Sequence, residues 1–157
     1  MTATDTTSST WMCYHLILTL ILLCRCQPDT EPEQAHQLID EINDYRVADG
    51  QKPLTADPRL AKAARTQVEY LLQMQPYCQC VDHTGPNGTN AAERVAAAGY
   101  PASCVGENLT SDGDHPLDAI EAWKNSSSHR ETMLGPEFTD VGVSIRGGLA
   151  AAVFACP

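Results

Sequence analysis

Positive charge is scarce in this sequence: ten Lys and Arg stand against 20 Asp and Glu, a formal charge of -10. With so few cations there is no basic surface to neutralise a phosphate backbone, and nucleic acid is repelled at long range. HExxH and GxSxG are both absent, and no serine or cysteine has neighbours that mark a nucleophile. The familiar hydrolase signatures therefore find no support. Cys78-Gln79-Cys80 has no matching CxxC elsewhere, so a closed zinc knot is not expected. Internal repeats and low-complexity blocks are missing from the body, and 157 residues give room for one domain with a single core.

A long apolar run is missing too. Leu16 to Leu23 (LILTLILL) falls short of the roughly 20 residues that cross a bilayer as a helix. It reads as the apolar centre of a signal peptide, although the stretch before it carries Asp5 and neither Lys nor Arg, and a start at Met12 suits it better. Cys24 and Cys26 close the run, but Leu23 and Arg25 precede them where a lipoprotein signal requires a small residue. We read 1–26 as signal peptide or N-terminal anchor, 27–32 as a polar, proline-broken linker, and 33–157 as the domain. Export to an oxidising compartment then makes the four body cysteines, Cys78, Cys80, Cys104 and Cys156, disulfide partners. A ring between Cys78 and Cys80 is strained, so each is expected to reach Cys104 or Cys156, in either order.

Periodicity outlines the body. Ala35, Leu38, Ile39, Ile42 and Tyr45 or Arg46 share a helical face ending at Gly50, with Thr30 and Glu33 in capping-box spacing. Asp57-Pro58 starts a second helix whose stripe is Leu60, Ala61, Ala64, Val68, Leu71 and Leu72. Asn90 and Glu93 cap a third, Pro116 opens a fourth through Ile120 and Trp123, and Ser128 with Glu131 caps one more turn. VGENLT reads as a strand carrying Glu107 outward, while Val141, Val143 and Ile145 alternate into Gly147-Gly148 and a returning strand. Helices first and strands last imply an α+β domain with a small antiparallel sheet covered by helices.

Five histidines offer chemistry. His15 is in the leader, His36 lies on the polar side of the first helix and His115 reads as a solvent-facing cap, which leaves His83 and His129 in turn-rich, small-residue segments that reach a cleft. Two imidazoles and the Glu107 carboxylate form both a divalent-metal ligand set and an acid/base set. His129 falls in the first turn of its helix, where the dipole favours the neutral ring.

The segments INDYRVADGQKPLTADPRLAKAAR, DHTGPNG, ERVAAAGY, VGENLT, AWKNSSSHRETML and FTDVGVSI, in that order, resemble the CAP superfamily (SCP-like extracellular; cysteine-rich secretory, antigen 5, pathogenesis-related 1) in its compact bacterial form. The resemblance implies an α-β-α sandwich with a surface cleft of two His and two Glu that in some members holds a divalent cation. By motif these are His83, Glu107 and His129, with Asn108 and Trp123 in supporting positions. The second Glu is missing, since only KNSSS separates Trp123 from His129; Glu121 is the possible fourth ligand. The resemblance thus implies an exported or envelope-associated binding module, with zinc or magnesium in the cleft, or with an envelope, lipid or protein partner. A His/Glu or metal-dependent hydrolase and a purely structural disulfide-stabilised domain are the alternatives. Contact with a membrane is expected only through the leader.

Overall fold

The computed structural model describes residues 31–76, 78 and 81–157. The leader, Thr30 of the first capping box, and Cys80 lie outside them. Helix α1 spans Glu31–Ala48, strand β1 Thr55–Ala56, helix α2 Pro58–Met74, a 3-10 turn Pro86–Gly88, and helix α3 Ala91–Ala97. Then come strand β2 (Cys104–Thr110), helices α4 (Pro116–Lys124) and α5 (Ser127–Leu134), and strands β3 (Asp140–Arg146) and β4 (Leu149–Cys156). Among the described residues no helix is long and apolar enough to cross a membrane.

The expected helix starts at Asp57 and Asn90 are present as hydrogen bonds. Asp57 Oδ1 accepts from the Arg59 amide at 2.7 Å, with Pro58 filling the first helical position. Asn90 and Glu93 form a reciprocal capping box. Helix α5 differs from expectation. Its cap lies two residues earlier, at Ser126, whose backbone is extended and whose carbonyl accepts from the Arg130 amide, while the Ser126 side chain makes no cap bond. Ser128 is therefore already helical and cannot be the cap, although His129 keeps its place in the first turn.

The sheet runs β1-β3-β4-β2, with β2 at one edge. β3 and β4 form the hairpin expected from the sequence, turned by Gly147 and Gly148 at φ 57° and 79°. Left-handed values at both central positions match the twist of the flanking strands. The sheet is antiparallel apart from β1, a two-residue strand the sequence did not announce, which pairs in parallel with β3.

Both faces of the sheet are covered. On one, Leu38 and Ile42 of α1, Ile120 and Trp123 of α4 and Met133 of α5 pack on Val141, Val143, Ile145 and Phe154. On the other, Leu60, Ala64, Val68 and Leu71 of α2 and Val95 of α3 pack on Leu109, Leu149, Ala151 and Val153. This is the α-β-α sandwich. The small residues that alternate along β3 allow close approach: a Cβ on Gly142 would overlap the backbone of Leu60 and Ala61, so α2 lies directly on the strand.

Arg46 rather than Tyr45 completes the buried face of α1. Its guanidinium donates to the carbonyl oxygens of Lys52 (2.9 Å), Met133 (2.6 Å) and Gly135 (3.0 Å), which joins α1 to the end of α5.

The cysteine pairing corrects the expectation. Cys104 is bonded to Cys156, because antiparallel β2 and β4 set the two residues opposite each other with Cα atoms 5.2 Å apart. Neither is left for Cys78 or Cys80.

Candidate functional site

Edge strand β2 builds the site by alternation. Val105 and Leu109 pack on the α2 and α3 side, so Glu107 between them faces the same way. Asn108 faces the other layer and donates from Nδ2 to the His129 carbonyl of α5 at 2.9 Å. One strand thus reaches both helical layers. The loop carrying His83 meets it from the α2 and α3 side, and the first turn of α5 meets it from the other.

Glu107 does not point outward. Its side chain is 2% exposed because Arg94 of α3, also 2% exposed, is directed at it from within the domain, with Nη2 2.5 Å from Oε2. The other carboxylate oxygen, Oε1, lies 2.8 Å from Nδ1 of His83, whose ring is 59% exposed. An ionised carboxylate only accepts, so Nδ1 is the donor and Nε2 is left on the exposed side of the ring. The arrangement is a relay from a buried guanidinium through a buried carboxylate to an exposed imidazole.

The two histidines are pushed apart electrostatically. The hydrogen bond to Glu107, aided by that carboxylate's charge, raises the His83 pKa above the ordinary histidine value against a smaller opposing effect of burial. Burial holds His129 below its ordinary value, and the charge of His83 adds to the effect. The expected preference of His129 for the neutral ring has burial as its leading cause.

The carboxylate is not free for a cation. Both Glu107 oxygens are engaged, one of them by a positive side chain. Among the described residues no three His, Cys, Asp or Glu side chains are placed to hold a metal ion. A divalent cation beside His83 would meet a carboxylate already paired with Arg94, which does not fit a three-ligand centre. Glu121 is occupied elsewhere: it is exposed on α4 and accepts from Lys124 Nζ at 3.2 Å. Trp123 is fully buried in the core, and buried Asn108 supports the His129 backbone. His115 caps α4, accepting from the Leu117 amide through Nδ1.

Arg94 and Gln67 were not singled out in the sequence. The signal for Gln67 was present: it sits on the buried stripe of α2, three residues after Ala64 and four before Leu71, where an amide must find internal partners. Arg94 adjoins buried Val95 on a helix of only seven residues, too short for periodicity to mark its inner face.

Comparison with known proteins follows the same outline. The family model described as "CAP: Cysteine-rich secretory protein family" matches residues 39–154. A Bacillus subtilis (strain 168) protein, the uncharacterized YkwD, is 28% identical over 116 residues, which is 74% of this chain and 44% of YkwD; the chain thus spans less than half of that relative. An extracellular protein containing an SCP domain from Bacillus anthracis str. Ames superposes with a TM-score of 0.71 at 21% identity, over 83% of this chain and 44% of the other. An outer surface protein of Borrelia burgdorferi gives 0.66 at 23% identity, over 81% of this chain and 94% of the other. The family match over residues 39–154, with the sandwich and the edge-strand site in place, establishes that the chain belongs to the cysteine-rich secretory protein (CAP) family.

Proposed function

We propose that this chain is an exported CAP-domain binding module whose His83–His129 cleft takes a polar ligand of the cell envelope. The observation that carries the reading is the buried Arg94–Glu107 pair beneath the exposed His83 ring. Burying an ion pair gains little stability compared with apolar packing, so its use here points to the imidazole it orients. A ring that donates through Nδ1 to Glu107 presents Nε2 outward, beside His129 with its lowered pKa. The cleft therefore offers a hydrogen-bonding pair at mildly acidic to neutral pH. Export rests on the leader Leu16 to Leu23 together with the extracellular and outer-surface descriptions of similar structures.

Co-sedimentation with isolated cell envelopes tests the reading, with wild type beside His83→Ala and His129→Ala. We expect wild type to co-sediment and both variants to lose about tenfold or more in affinity. Calorimetric titration with zinc and with magnesium is the counterpart, and only weak uptake is expected. Tight one-to-one zinc binding abolished by Glu107→Gln would replace the reading with a metal centre.

Opposite displacement of the two pKa values favours a second reading, a hydrolase in which one imidazole serves as acid and the other as base. Turnover lost in His129→Ala without loss of fold is its signature.

A further inference from the structure

We infer that Gln67 and Arg94 form a two-armed clamp that fixes the main chain of the His83 loop and so holds the His83 ring on Glu107. Resting on the cleft reading above, this assigns positioning residues to it. Three successive carbonyl groups of the loop are held by these two buried side chains. Gln67 Nε2 donates to Asp82 O at 2.6 Å and to Thr84 O at 3.3 Å, and Arg94 Nη1 donates to His83 O at 3.2 Å. The same Nη1 bonds Thr89 O at 2.9 Å, while Nη2 holds Glu107. Arg94 thus touches both the backbone of His83 and the carboxylate that its ring meets.

Turn-rich loops seldom have their carbonyls taken up by interior side chains, since water ordinarily satisfies them. Here Gln67 and Arg94 are both buried, and the Gln67 amide nitrogen and Arg94 Nη1 find their acceptors on the loop. The orientation of the Gln67 amide is set by chemistry: turned over, its oxygen would face two carbonyl oxygens. Gly85 completes the device. A Cβ there would lie 2.6 Å from both Arg94 Nη1 and Gln67 Oε1, so any larger residue would have to displace the tips of the two arms. The exposed, flexible-looking segment VDHTGPNG is in this way tied to the rigid layer of α2 and α3.

Heteronuclear NMR on the full chain tests the clamp, with wild type beside Gln67→Met, which keeps side-chain length and removes both donors. Above its titration, wild-type His83 is expected as the Nδ1–H tautomer, the opposite of the form free histidine prefers. In Gln67→Met the ring nitrogen shifts should revert to the Nε2–H pattern. Amide exchange at Thr84 should accelerate about tenfold or more, with Val95 and Leu109 unchanged. A folded variant that keeps the Nδ1–H tautomer and wild-type loop exchange overturns the inference. Should the variant not fold, wild type decides: the Gln67 side-chain amide protons must exchange about tenfold or more slowly than those of exposed Gln73, and equal rates contradict the clamp. Tautomer and exchange are read without any ligand, so failure of the clamp and failure of envelope binding are separate results.

Discussion

Glu107→Gln destabilises the protein by about 3–5 kcal/mol in urea denaturation, the cost of leaving a buried guanidinium without its counter-charge. Arg94 is 2% exposed in its side chain and, among the described residues, has no other carboxylate hydrogen-bonded to it, so the amide replaces its charge partner with a dipole. Arg94→Met fails for the complementary reason, leaving buried Glu107 with the exposed His83 ring as its remaining partner. Removing both, in Arg94→Met with Glu107→Met, should bring stability back toward wild type, because the desolvation cost disappears with the pair. A single variant within about 0.5 kcal/mol of wild type would show that the pair is not buried as described.

Arg46→Met is expected to lower stability by about 3 kcal/mol or more, which in a domain of this size shifts the thermal midpoint by roughly 10 °C. The guanidinium supplies donors to the carbonyls of Lys52, Met133 and Gly135, and among the described residues no other side chain is bonded to those three groups. Burial lowers its pKa, while the charge of Glu137 partly offsets this. Arg46→Lys should recover only part of the loss. One ammonium cannot donate along the three directions that Nε and the two arms of Nη1 cover. Differential scanning calorimetry reads both variants, and an unchanged midpoint in Arg46→Met would contradict the assignment.

Local rules carried much of the fold in the sequence. Asp57-Pro58 and Asn90…Glu93 are cap signatures whose hydrogen bonds are present, and Gly147-Gly148 specified its hairpin turn. What escaped depended on partners distant in the chain. Cys104 meets Cys156 through a strand register that spacing does not reveal. Glu107 turns inward because Arg94 waits there; without that knowledge a carboxylate on a strand belongs in water. Strand β1 is two residues long, below any periodicity. Of the residues the sequence named, His83 and Glu107 are in hydrogen-bond contact, while His129 lies on the opposite helical layer with its carbonyl held by Asn108. Its charge logic was not, because the deciding residue is a buried arginine on a short helix.

These pKa displacements set opposite pH dependences. His83, raised by Glu107, contributes stability that is complete below about pH 6.5 and is lost as pH rises through its higher native midpoint. Exposure of the ring keeps that contribution small. His129, lowered by burial, opposes it: stability falls as pH drops below about 6.5, until the native ring also protonates.

Titration of the two imidazoles by NMR in the wild-type protein is the most direct measurement of the central claim, that a paired His83 and a shielded His129 share one cleft. The expected result is a midpoint above about 6.5 for His83 and below it for His129, with the His129 signals also responding as His83 gains its proton. Two independent titrations, both at the ordinary histidine value, would contradict it.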